Sequence, residues 1–190
     1  MSDSADYGGG VKAPPHSIEA EQSVIGALLI DPETAEQVTE AVAAEEFYER
    51  RHRQIFQAIS AMLGAGRAVD AITVSEWLQD HEQLADVGGV QYLLMLANET
   101  PSAANVLAYA RIVRERATLR DLIRVGREIA ELAYRPEGRS AQALLDEAES
   151  RVFHLAEGQQ RAGDGFQQLK DALPAVIDRI ETIARTRSKR

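Results

Sequence analysis

The chain of 190 residues contains no cysteine. That excludes a disulfide framework and thiolate zinc sites, and it fits a cytosolic protein. Aromatic residues make up 5% of the chain, against 45% hydrophobic residues in all. The apolar content is therefore mostly Ala, Leu, Ile and Val, which speaks for helices and against a β-sandwich. No apolar run approaches the ~20 residues of a membrane span. The opening stretch, MSDSADYGGGVKAPPH, has no basic start followed by an apolar core, so a secretory signal is not expected. Positive charge is not in excess either, since the net charge is −9. Such a surface repels polyanions at long range and disfavours non-specific nucleic-acid binding by the whole chain.

Catalytic signatures are also missing. A phosphate-binding loop needs Gly-x-x-x-x-Gly-Lys-Ser/Thr, and GGGVK at 8–12 is too short and lacks the hydroxyl residue. His16, His52, His81 and His154 are far apart and form no metal-ligand spacing. His52, between Arg51 and Arg53, reads as a surface or core-rim histidine, and His154 as solvent-facing. No serine sits in a Gly-x-Ser-x-Gly context. The adjacent carboxylates Glu45-Glu46 and Asp146-Glu147 point to different sides of a helix and read as solvated charge. A small α-helical enzyme is thus left without a motif, and no cofactor or metal is expected for this chain.

What is present is a series of helices. Residues 1–15, rich in Gly and Ser and ending in Pro14-Pro15, read as a disordered tail. Ser17 is an N-cap, with Glu19 and Glu21 in the first turn of a helix carrying Val24, Ile25, Leu28 and Leu29. Asp31-Pro32 ends it and starts a short second helix. A third helix over about 50–63 stops at Gly64. Thr73 and Glu76 fit a capping box opening a fourth over about 74–82. After Gly88-Gly89 comes a fifth, VQYLLMLANE. Residues 16–101 form a globular helical head, with core candidates Val24, Leu28, Phe47, Ile55, Phe56, Ile59, Trp77, Leu78, Leu93 and Leu96.

A helical hairpin follows over 102–157, its helices separated by the breaker RPEGR at 135–139. On the first helix the apolar positions Leu119, Leu122, Ile123, Val125, Gly126, Ile129, Ala130, Leu132 and Ala133 cover about half the circumference, more than the ~100° that docks on one partner. The second helix offers one ordinary face, Ala141, Leu144, Leu145, Ala148, Val152, Leu155 and Ala156. Something besides the second helix must cover the first: the head folded back, another subunit, or a partner. Sequence reasoning leaves the side around Leu122, Val125, Ile129 and Leu132 for another molecule. The arginines Arg111, Arg114, Arg116, Arg120, Arg124 and Arg127 suggest nucleic acid, but Glu115, Asp121, Glu128 and Glu131 interleave with them and can pair along the helix. Residues 158–190 form a flexible linker and an amphipathic helix with Leu169, Leu173, Val176, Ile177, Ile180 and Ile183 on one face and Pro174 interrupting it.

Three stretches carry a resemblance: PPHSIEAEQSVIGALLIDPE at 14–33, EEFYERRHRQIFQAI at 45–59, and VGGVQYLLMLANETPSAANVLAYARIVRERATLRDLI at 87–123. The chain resembles the N-terminal part of the DnaB family of bacterial replicative helicases over about 14–157, and less sharply over the 166–185 helix. The resemblance implies an all-α, non-catalytic collar domain: a globular head plus a helical hairpin, six copies assembling by head and hairpin contacts. It implies DnaG primase as a partner, with Tyr92, Ile123 and Ile129 at family positions facing it. The 166–185 helix then looks like the linker helix that packs on the motor domain of the neighbouring subunit, where a helicase loader can also act. The motor domain is absent from this sequence, and with it the expected sites for ATP, magnesium and DNA loops. A replisome location in the cytoplasm follows from the resemblance alone. The primase and hairpin interface expected on this basis is Tyr92, Leu119, Leu122, Ile123, Val125, Ile129 and Leu132. The alternative is a nucleic-acid-binding helical module using Arg120, Arg124 and Arg127.

Overall fold

The computed structural model describes residues 13–100 and 102–161, and every regular element among them is helical. The tail before Ala13 and the amphipathic segment with Leu169, Leu173, Val176, Ile177, Ile180 and Ile183 lie outside the described residues. Helix α1 (Ile18–Ile30) starts where Ser17 Oγ accepts from Ala20 N at 3.3 Å. At its end the Asp31 carboxylate accepts from Glu33 N at 3.2 Å, and one 3-10 turn over Pro32–Thr34 leads into α2 (Ala35–Ala41). Helix α3 spans Arg50–Gly64.

Helix α4 (Ala71–Asp80) begins one turn earlier than the sequence pattern suggests. Asp70, not Thr73, is its N-cap: Oδ1 accepts from Ile72 N and Thr73 N, both at 2.8 Å. Thr73 Oγ1 accepts from Asp70 N at 2.9 Å and closes the reciprocal box. An ionised carboxylate takes two of the orphan amides at once, so the acidic residue wins the cap and the T-x-x-E pattern falls inside the helix. Helix α5 (Gly89–Glu99) follows Gly88, which is left-handed at φ 98°. Helix α6 (Val106–Tyr134) is preceded by a 3-10 turn capped by Ser102. Helix α7 (Ala141–Arg161) runs back along it after a turn in which Glu137 and Gly138 both have positive φ.

Helix α1 is the centre of the head. Ala20, Glu21 and every residue from Val24 to Leu29 are buried, so it is enclosed on nearly all sides, and its apolar residues occupy more than one face. Around it pack Phe47, Ile55, Phe56, Ile59, Met62, Leu78, Leu93 and Leu96. Of the ten core candidates only Trp77 stays half-exposed; it stacks on His81 with ring centroids 3.7 Å apart. Gly26 permits the crossing with α5. A Cβ there would lie 2.3 Å from the Leu96 carbonyl and 2.0 Å from Thr100 Oγ1. Val106, Ala110 and Val113 belong to the same core, so by packing the head extends past residue 101 and takes in the first turns of α6.

Candidate interaction surfaces

His52 is fully buried, not a rim residue as its flanking arginines suggest. Its Nδ1 lies 2.7 Å from Glu21 Oε2, and its Nε2 lies 2.7 Å from the Tyr92 hydroxyl, which also accepts from Gln22 Nε2 at 3.3 Å. Glu21 accepts two further hydrogen bonds, from Tyr48 N at 2.5 Å and Glu49 N at 3.2 Å. A carboxylate from α1 thus caps the entrance to α3 from the side, while its position in the first turn of α1 suggests only a dipole partner. A carboxylate can only accept, so the His52 Nδ1–H donates to it. Arg51 lies over the Tyr92 ring, 4.1 Å from its centroid. The structure therefore separates Tyr92 from the other predicted interface residues: it is a half-buried member of a head network, and they lie on α6.

The long apolar strip of α6 is divided in two. Val125 is buried at 5% exposure and shares a cleft with Arg151 and Leu155 of α7. Ile129 and Leu132, next to it on the helical wheel, are half-buried, as is Leu119. On the other half, Leu122 is 51% and Ile123 42% exposed, and Gly126, Ala130 and Ala133 are exposed too. The sequence pattern leaves the side around Leu122, Val125, Ile129 and Leu132 for another molecule; of the four, Leu122 is open, while Val125 is buried beside α7 and Ile129 and Leu132 are half-buried. The half left open is Leu122, Gly126, Ala130, Ala133 and Ile123.

Helix α7 is divided the same way. Leu144, Ala148, Arg151 and Leu155 turn inward, while Leu145 at 63%, Val152 at 47% and Phe153 at 59% are exposed. Its apolar residues are thus more than the single inward face that sequence reasoning assigned, and Phe153 widens them further. In an antiparallel hairpin, flanks displaced in the same rotational sense from the contact line emerge on the same side. Leu122, Gly126 and Ala133 and, on α7, Leu145, Val152 and Ala156 are displaced in that way. One side of the hairpin is consequently apolar.

The opposite side is ionic. Arg124 donates to Asp121 and to Glu128, and Arg151 of α7 reaches Glu128 at 2.7 Å and Glu147 at 2.8 Å. These bonds hold Glu128 below its ordinary carboxylate value, with the hydrogen bond from Arg124 the main cause. They also raise Arg124, through Glu128 and then Asp121.

Arg120 has a different role. Its terminal nitrogens donate to Pro15 O at 2.8 Å and Glu46 O at 2.5 Å, and it lies 5.6 Å from the centroid of the Tyr48 ring. Burial pushes its guanidinium down from the ordinary value, and the field of Glu21 opposes that. Of the three arginines that suggest nucleic acid, two are therefore committed within the chain. Of these three, Arg127 has no ion pair or hydrogen bond among the described residues, and the same holds for Arg111 and Arg116 earlier on α6. Beside Arg127, Ala13 and Pro14 form one side of a cleft of about 540 Å³ that Ile123 also lines. His154 is exposed, as expected, and no group of side chains among the described residues could hold a metal ion. No helix among them is long and apolar enough to cross a membrane.

Residues 13–115 match the model of the DnaB-like helicase N terminal domain. The replicative DNA helicase DnaB of Pasteurella multocida is 42% identical over 91% of this chain and 37% of its own length. That of Geobacillus stearothermophilus is 41% identical over 90% of this chain and again 37% of its own. The chain thus spans little more than a third of the length of these relatives. Among solved structures, the N-terminal domain of DnaB helicase from Mycobacterium tuberculosis superposes with a TM-score of 0.70 at 34% identity, over 75% of this chain and 99% of that one. A DnaB-like replicative helicase, described together with its interactions with primase, has the same fold at 23% identity and a TM-score of 0.59, over 85% of this chain and 34% of that one.

Proposed function

Because the chain belongs to the DnaB-like helicase N-terminal domain family, we propose that it is a collar domain that joins helicase subunits and recruits primase. The observation that carries this reading is the apolar side of the hairpin, with Leu145, Phe153 and Leu122 each more than half exposed on a chain whose head core is closed. A side of this kind, facing water along two helices, is what a helix-pair interface buries. Gly126, Ala130 and Ala133 in its middle let a second hairpin approach closely. We assign the apolar side to another copy of the chain, and the back of α6 around Ile123 to primase. Support for primase comes from the family resemblance at Ile123 and from the DnaB-like helicase described with primase interactions. The linker helix, the loader and the neighbouring motor domain remain part of this proposal through the resemblance, as does ATP-driven DNA unwinding by the larger protein.

Sedimentation velocity at high micromolar concentration tests the assembly. The chain should sediment as a dimer or larger, and Leu145→Glu with Phe153→Glu should return it to monomer. A strictly monomeric parent would overturn the reading. For primase, Ile123→Glu should abolish binding measured by calorimetry; unchanged affinity would remove Ile123 from that surface. DNA binding through Arg120, Arg124 and Arg127 would require several free cations, and of these three only Arg127 has its hydrogen bonds to spare.

A further inference from the structure

We propose that the strap of residues 13–16 is one wall of the docking cleft at Ile123, that Arg120 is the positioning residue holding it there, and that the cleft takes a partner helix bearing an apolar side chain flanked by a carboxylate. The proposal rests on the reading that primase docks on the back of α6.

The strap is fastened at two points. Arg120 donates to the Pro15 carbonyl at 2.8 Å. His16 stacks on the Tyr48 ring at 4.4 Å between centroids, with the rings 13° from parallel. Tyr48 in turn lies beneath the Arg120 guanidinium. Fastened so, the strap presents Ala13 and Pro14 across from Ile123, and the cleft of about 540 Å³ lies between them. Its walls are mostly apolar at Ala13, Pro14 and Ile123. Its size suits the side chains of about one helical turn rather than a flat surface contact.

Charge selects the occupant. Arg120 spends its terminal nitrogens on Pro15 and Glu46, and Arg124 is neutralised by Asp121 and Glu128. Arg127, one helical turn beyond Ile123, is the cation left over among the described residues lining the cleft. Arg120 keeps its charge, since carbonyls do not neutralise it, but its terminal N–H groups are taken. Arg127 is the lining cation with N–H groups free to pair, and one such cation beside an apolar floor matches a single carboxylate next to an apolar anchor. A polyanion would find too few cations.

The test is calorimetric titration of the chain with the helical C-terminal domain of its cognate primase, in four single variants and one double variant. Ile123→Glu controls the underlying reading: if affinity is unchanged, primase does not use this surface and that reading fails. With Ile123→Glu disruptive, Ala13→Glu should weaken binding about tenfold, since it sets a carboxylate on the strap wall without touching any bond of Arg120. Arg127→Glu should weaken it by a similar, salt-dependent factor. Arg120→Ala should also weaken binding, and in the double variant the Ala13→Glu effect should shrink to about twofold or less, because a released strap no longer forms the wall. Full additivity would show that Arg120 does not act through the strap. Ala13→Glu binding like the parent, alongside a disruptive Ile123→Glu, would overturn the strap proposal. The Ala13→Glu arm stands even if Arg120→Ala does not fold.

Discussion

The head and the distal hairpin use the same aliphatic residues to opposite ends. In the head, α1 is enclosed by its neighbours, and its one buried carboxylate, Glu21, meets two backbone amides and His52. In the hairpin two helices meet along a single line, so each closes half of its own apolar strip and leaves the other half open. Two helices in contact cannot surround one another; six residues of α1 in a row, Val24 to Leu29, can be buried only because several elements converge on it. The same amino-acid types thus make a core where elements converge and an interface where they do not.

Substitutions should fall on the two sides of this contrast with very different costs. Glu21→Ala strips partners from His52, Tyr48 N and Glu49 N together, and should destabilise the head by about 3–5 kcal/mol in urea unfolding. A loss below about 1 kcal/mol would mean that the network is structurally idle. Gly26→Ala drives a methyl into the Leu96 carbonyl and Thr100, and should cost about 1–3 kcal/mol by the same measurement. A neutral result would show that α1 and α5 separate freely. Phe153→Glu in the hairpin should leave the stability of the isolated monomer within about 0.5 kcal/mol, while abolishing self-association. Matching losses of both would make Phe153 part of a core rather than a surface. The smallest effect concerns Glu128. Its carboxyl is held below its ordinary value of 4.5, so the α6–α7 link is intact above that value and is lost as the pH falls through the lowered one. Amide exchange in α7 of Glu128→Gln should exceed that of the parent at neutral pH and converge with it in acid. A pH-independent difference would argue against the ion pairs.

Much of the helical order is legible in the sequence because caps and breakers act locally. Ser17, Asp31 with Pro32, and Gly88 each mark a boundary that the structure keeps. The start of α4 is not legible locally because two overlapping cap patterns compete there, and Asp70 takes two amides at once. The double-width strip of α6 was legible from periodicity, but which half α7 would cover was not. That depends on the rotation of one helix against the other, which the turn at Glu137 and Gly138 sets. The Glu21–His52–Tyr92 network joins residues up to seventy positions apart, counting Gln22 to Tyr92, and no local pattern connects them. Arg120 reads as one of a series of surface arginines; the return of the N-terminal strap and the turn at Glu46 together give it backbone carbonyls to bind.

Helix α6 is rooted in the head core at Val106, Ala110 and Val113 and is still buried at Ala117, yet it runs unbroken to Tyr134. Beyond Arg120, which is still bonded to Glu46 of the head, the free length to Tyr134 is about 21 Å at 1.5 Å per residue. It is a lever arm with its fulcrum inside the head. A tilt of about 10° at the root swings the tip by about 3.6 Å over that length. Two hairpins clasped at their apolar sides would therefore hold their heads at a set angle, and a small reorientation of either head would arrive at the clasp magnified.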